Sequence, residues 1–210
     1  MNQPLNVAIL IFDDVEVLDF CGPYEVFGVT GQNANPKPFH VYTIAAEQRP
    51  ILARNQLSVN PKYSFADCPQ SDILLIPGGY GTRQEMNNPV VLSWIKTHAE
   101  TAQLVLSVCT GALLLAKVDL LDGLVATTHH LALELLRAAA PNTEVRENVR
   151  VVDNGRIILS AGISAGIDMS LYVVAKLLGK QEAMATAQYM EYDWREDSPI
   201  VQVQGVGSKE

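Results

Sequence analysis

The sequence predicts an α/β sandwich built on a mostly parallel central sheet, and three features carry that expectation. Apolar runs rich in Ile, Val and Leu recur at residues 7–12, 72–76 and 104–108 without polar alternation, as in strands buried on both faces. Each run passes through turn residues into a segment of helical periodicity, the order expected of βαβ units. The junctions are rich in small residues (Gly78-Gly79, Thr110-Gly111, Ala161-Gly162), which allow sharp turns and close backbone approach.

Length and composition agree with this. The chain has 210 residues, 48% hydrophobic and 18% charged, which fits a single domain over 1–210 with a large core. A formal net charge of -8 without a Lys/Arg cluster argues against nucleic acid or an anionic membrane as partner. The first apolar run is six residues long and closed by Asp13-Asp14, too short for a secretory signal or a membrane span of about 20 residues, so a cytoplasmic protein is expected. Cys21, Cys68 and Cys109 are odd in number and widely spaced, which suits neither a disulfide framework nor a zinc site.

In chain order, the strand at 7–12 leads to Asp19, expected just before a helix over 24–29 whose first turn accommodates Pro23. A turn-rich stretch, 31–38, precedes a strand at 39–45, and 51–63 reads as a hairpin or edge excursion. The strand at 72–76 runs into Pro77-Gly78-Gly79-Tyr80-Gly81, and a helix follows over 89–101. After the strand at 104–108 come a helix over 112–118, a short strand at 125–128 delivering His129-His130, and a helix over 131–140 stopped by Pro141. Asn154-Gly155 signals a tight hairpin between 149–153 and 156–160. Helices are expected over 167–178, with Gly179 as stop signal, and over 182–192, ahead of a frayed polar tail from about 202.

The chemistry centres on Ser107-Val108-Cys109-Thr110-Gly111, a loose match to the G-x-S-x-G nucleophile elbow with Cys in the nucleophile's place. The competing reading is a buried structural cysteine. If the elbow forms, the helix N-terminus after it favours the thiolate against an ordinary pKa of about 8.5. Asp19, Gly78-Gly79 and Cys109-Thr110 all lie on loops at strand ends, where open parallel sheets place their ligands. Together they offer a carboxylate, a thiol and backbone N–H donors, those of Gly79 and Thr110, for covalent attack on an electrophilic carbon. His129 is a candidate base, and Cys21, Tyr80 and Ile163 are further pocket candidates. His40 and His98 read as surface or packing residues, and Cys21 and Cys68 as inert thiols.

Five segments in order, 18–23, 77–79, 107–111, 126–129 and 162–168, resemble the ThiJ/PfpI superfamily over nearly the whole chain, from about Asn6 to Tyr192. The resemblance is closest to its isonitrile hydratase branch and to the sensing halves of certain AraC-type regulators. It implies a class I glutamine amidotransferase-like, flavodoxin-like three-layer sandwich with a nucleophile elbow, usually as a homodimer. It also implies Cys109 as nucleophile, Asp19 as its acidic partner, Thr110 as the residue after the nucleophile, and Gly79, beside Gly78, as the oxyanion-side glycine. The protease-like branch has His directly after the cysteine; Thr110 stands there, which argues against a peptidase. The expected activity is hydration of an isonitrile to an N-substituted formamide through a thioimidate on Cys109, with no metal or organic cofactor. The alternatives are a stand-alone ligand-sensing module and another hydrolase or lyase reaction on a small carbonyl or amide. Only a short polar stretch follows Trp194, where the regulators carry a DNA-binding domain, so the expected partner is a small molecule.

Overall fold

A computed structural model describes residues 3–195 and 200–203. In chain order the elements are β1 (Leu5–Leu10), α1 (Val17–Val29), β2 (Phe39–Ala45), β3 (Ile51–Leu52), β4 (Ser58–Val59), β5 (Tyr63–Ser64), β6 (Ile73–Ile76), α2 (Thr82–Glu85) and α3 (Pro89–Thr101). There follow β7 (Leu104–Val108), α4 (Gly111–Lys117), β8 (Val125–Ala126), α5 (Leu133–Ala139), β9 (Glu144–Val145), β10 (Val151–Asp153), β11 (Ile157–Ser160), α6 (Ala165–Leu178), α7 (Lys180–Tyr189) and β12 (Ile200–Gln202).

Eight strands form the main sheet in the order β12-β10-β11-β7-β6-β1-β2-β5. Every pairing is parallel except β10 with β11, the two arms of the Asn154-Gly155 hairpin. The unalternated apolar runs occupy the middle: all of β6 and β7, and β1 from Val7 onward, are buried. Two groups of helices flank the sheet, α1 with α6 and α7, and α2, α3 and α5 around α4. This is the flavodoxin-like sandwich that the sequence predicts.

The chain leaves β1 toward β2 on one side of the sheet and later returns to β6 on the other. The crevice at the carboxyl ends of β1 and β6 is therefore a topological switch point, where open α/β sheets bind ligands. The loops after β1, β6, β7 and β11, four adjacent parallel strands, meet there.

Several boundaries differ from the sequence reading. Helix α1 begins at Val17, so Asp19 lies in its first turn and Pro23 in its interior. The helix tolerates Pro23 because Phe20, Val26 and Phe27 are buried in the core, although proline removes the bond to the Asp19 carbonyl. The strand that delivers His129 is only Val125–Ala126, and it pairs with β9 in a sheet of its own. The excursion at 51–63 is the small β3–β4 hairpin followed by edge strand β5. The last helix is shifted to Lys180–Tyr189. The tail expected to fray from about 202 is ordered at its start, where Gln202 ends β12, which pairs with β10. The rest of the expected tail, 204–210, lies outside the described residues.

Candidate functional site

Strand β7 ends at Val108 and α4 starts at Gly111, so Cys109 and Thr110 form the whole turn between them. Cys109 has φ 57, a left-handed conformation that costs a non-glycine residue about 1–2 kcal/mol. Neighbouring loops hold it there. Its N–H reaches the carbonyls of Ser160 (3.2 Å) and Ala161 (3.1 Å), and its carbonyl accepts the Thr128 hydroxyl at 2.7 Å. This is the geometry of a nucleophile elbow, with the cysteine side chain only 5% exposed.

Asp19 is fully buried beside it. Its Oδ2 accepts the Gly78 N–H at 3.0 Å, which ties the loop after β6 to the first turn of α1 across the switch point. Its Oδ1 is buried without a hydrogen-bond partner, and the carboxyl has the Cys109 thiol and the Ile163 N–H as neighbours. Burial lifts the Asp19 carboxyl from 3.8 to about 7, a rise the Gly78 N–H and the Cys109 thiol only partly offset and nearby Glu16 reinforces. Burial and then the Asp19 charge push the Cys109 thiol up to about 12. The resting pair therefore keeps its proton on sulfur. Desolvation and the adjacent carboxylate both work against the thiolate expected from the helix N-terminus, while the amides of Thr110 and Ile163 favour it.

The glycine pair serves the site differently from the oxyanion role assigned to it. A Cβ on Gly78 would lie 2.5 Å from the Thr110 nitrogen and 2.8 Å from Cys109 Cβ, so only glycine lets this loop touch the elbow. Gly79 has φ +127, and its N–H donates to Thr110 Oγ1 at 3.0 Å. This N–H, expected to face an electrophile, is engaged by the Thr110 hydroxyl. Thr82 reinforces the clasp, its Oγ1 standing 2.8 Å from the Gly79 carbonyl and 3.2 Å from Thr110 Oγ1. The N–H groups directed at the Cys109 sulfur are those of Thr110 and Ile163. Ile163, at φ 54, turns its amide inward while its side chain is 37% exposed.

His129 lies on the rim. Its Nδ1 accepts the Leu131 N–H at 3.2 Å, and its ring packs where a Cβ on Gly162 would otherwise stand. Burial, His130 and Arg83 lower its pKa. The candidate base therefore does not hydrogen-bond the thiol; the titratable group beside Cys109 is Asp19. Tyr80 is largely exposed, with the guanidinium groups of Arg83 and Arg54 at 5.1 and 5.6 Å from its ring centre. Cys21 is partly buried on α1 and, among the described residues, makes no hydrogen bond to Asp19 or Cys109. A cleft of about 530 Å³, bordered by Thr128, His129, Gly162 and Ile163, opens next to the elbow. No group of three or more His, Cys, Asp or Glu among the described residues is arranged to hold a metal.

Sequence reasoning missed Thr82, Arg83, Glu16 and the specific task of Thr128. Thr127-Thr128 carried a signal, as adjacent buried hydroxyls after an apolar strand need acceptors. Arg83, which donates to the Gly79 carbonyl at 3.1 Å, gave none.

The fold and site together define an α/β sandwich with a thiol elbow and a buried carboxylate at its switch point. The DJ-1/PfpI family model matches residues 5–176, and the chain belongs to that family. It is 33% identical over 188 residues to the isonitrile hydratase of Pseudomonas putida, covering 90% of this chain and 78% of that protein. It is 22% identical over 192 residues to the HTH-type transcriptional regulator GbdR of Pseudomonas aeruginosa, covering 91% of this chain but 52% of the regulator. Among solved structures, a ThiJ/PfpI family protein from Pseudomonas syringae superposes with a TM-score of 0.82 at 27% identity, covering 93% of this chain and 78% of the other. Drosophila melanogaster DJ-1beta shares the fold at a TM-score of 0.78 and 18% identity, over 91% of this chain and all of that one.

Proposed function

We propose that the protein is a cysteine-dependent hydratase of small electrophiles, with an isonitrile as substrate and an N-substituted formamide as product. The observation that carries this reading is the buried Asp19–Cys109 pair, in which one carboxyl oxygen is fixed by the Gly78 N–H, the other has no partner, and the carboxyl neighbours the thiol. Similarity to the Pseudomonas putida isonitrile hydratase supports the substrate class.

The chemistry follows from where the proton sits. With Asp19 ionised, its carboxylate takes the Cys109 proton as sulfur bonds to the terminal carbon of R–N≡C. The protonated carboxyl then gives that proton to the same carbon, producing the thioimidate R–N=CH–S–Cys109. A water molecule, its proton drawn to the Asp19 carboxylate, adds to this carbon; Asp19 passes that proton to the nitrogen, and as the C–S bond breaks it relays the remaining hydroxyl proton to sulfur. The products are R–NH–CHO and the free thiol, so one water is consumed and Asp19 ends as it began. The amides of Thr110 and Ile163 favour negative charge on sulfur as it departs. Thr110 in the position after the cysteine, its hydroxyl engaged with Gly79, supplies no imidazole for a peptidase dyad.

The test is formation of N-substituted formamide from an alkyl isonitrile, followed by NMR. Wild type is expected to turn over, with Cys109→Ala inactive and Asp19→Asn slowed at least about 100-fold, the lower range for general acid–base assistance. Wild type without formamide formation overturns the reading. A ligand-sensing role is the second reading, supported by the likeness to GbdR. Saturable binding of the isonitrile by calorimetry, without turnover, would favour it.

A further inference from the structure

A second cysteine has an imidazole partner, away from the elbow. Cys68 Sγ lies 3.8 Å from His98 Nε2, although the residues are 30 apart in sequence. His98 Nδ1 is 2.9 Å from the Trp94 carbonyl. A carbonyl only accepts, so Nδ1 donates to it, and Nε2, in the tautomer this fixes, presents its lone pair to the thiol, whose other acceptor is the Phe65 carbonyl at 4.0 Å. The ring is held in that plane, stacked on Trp94 at 3.9 Å and 21°, while Trp94 stacks in turn on Phe65 at 4.5 Å and 9°.

Trp94 adds a second observation. It is 8% exposed, and its indole N–H is buried without a hydrogen-bond acceptor. The Cys68 sulfur is the group it lies beside. A neutral thiol is a weak acceptor and a thiolate a strong one, so the orphaned donor is satisfied only when Cys68 loses its proton. Burial holds the Cys68 thiol up, and His98 Nε2 is the base that lies 3.8 Å from its sulfur. Cys21 is the internal comparison, a partly buried thiol also raised by burial but with no imidazole beside it among the described residues. An open groove of about 520 Å³, lined by Phe65, Pro89, Val90, Trp94, Thr97 and His98, runs along the aromatic stack and the His98 side of the pair.

We propose that Cys68 and His98 form a second reactive-thiol site, separate from Cys109, that undergoes reversible S-thiolation by small organic disulfides bearing an aromatic or apolar group. The thiol proton passes to His98 Nε2 as the Cys68 sulfur bonds to one sulfur of the reagent. The reagent's S–S bond breaks, and its departing thiolate takes the proton from His98. Cys68 is oxidised to the mixed disulfide while half of the reagent is reduced to a thiol. The Phe65–Trp94–His98 stack provides the surface against which the reagent's ring lies.

The test treats the full reduced chain with 4,4′-dithiodipyridine at pH 7, quenches with acid at intervals and assigns each adduct by peptide mass mapping. Cys68 is expected to react at least about tenfold faster than Cys21, and His98→Gln to remove that advantage. Equal rates at Cys68 and Cys21, or an undiminished rate at Cys68 in folded His98→Gln, would overturn the proposal. If His98→Gln fails to fold, the Cys68 to Cys21 ratio in the unaltered protein decides. Isonitrile turnover is a separate readout, so failure of either proposal leaves the other distinguishable.

Discussion

At the scale of single residues, Asp19 has the largest measurable consequence. Its folded pKa of about 7 stands above its unfolded value of 3.8, so ionising it is harder in the folded protein. The stability linked to this group is fully present below pH 4 and is lost as pH rises through about 7. At about 1.4 kcal/mol per unit, the loss by pH 8 approaches about 4 kcal/mol. Asp19→Asn, which cannot ionise, should therefore be more stable than wild type at pH 8, and the difference should vanish near pH 4; urea unfolding at the two pH values checks this. The proposed mechanism gives the activity profile the opposite slope. It needs the carboxylate to receive the Cys109 proton, so turnover should rise with pH through about 7 and then hold level. A steady-state pH profile that falls across that interval would contradict the assignment of Asp19 as proton acceptor.

Among the elements, the elbow depends on loops contributed by its neighbours. Thr128, which follows a strand outside the main sheet, holds the Cys109 carbonyl, and both groups are buried. Thr128→Val leaves that carbonyl without its donor and should cost about 1–3 kcal/mol in urea unfolding, with Thr128→Ser recovering most of it. Gly78→Ala places a methyl group against backbone at 2.5 Å and should displace either Thr110 or Asp19, abolishing turnover even where the protein folds. The loop carrying Ile163 is braced from behind by Asp168, which pairs with Arg150 and accepts the Tyr192 hydroxyl at 3.0 Å, while Arg150 also reaches Ser164 Oγ at 3.0 Å. That brace joins the residue before β10, the start of α6 and the segment after α7. The segment from Gly162 to Asp168 was legible in the sequence as a strand-to-helix junction, but its partner Arg150 was not. Pairings between distant segments leave no local periodicity.

Across the whole molecule, the parallel sheet was legible because strands buried on both faces are near-continuous apolar runs, as are β1 from Val7, β6, and β7 apart from Ser107. Short edge strands such as β5 and β12 escaped because two or three residues cannot establish a pattern. The site was legible for a related reason. Loops after adjacent parallel strands have to meet, so Asp19, Gly78 and Cys109 could be grouped before their distances were known. Their protonation could not, since it depends on burial that only packing determines. Amide hydrogen exchange should follow the same layering, slowest in β1, β6 and β7 and fastest at β12. The central claim is that Cys109 becomes covalently bonded to the substrate carbon with Asp19 as its proton partner. Rapid acid quench of the protein mixed with an alkyl isonitrile, read by intact mass and peptide mapping, tests it most directly. A transient adduct of one isonitrile on Cys109 is expected in wild type and none in Cys109→Ala; formamide appearing with no adduct, or an adduct confined to Cys21 or Cys68, would rule out covalent catalysis at Cys109.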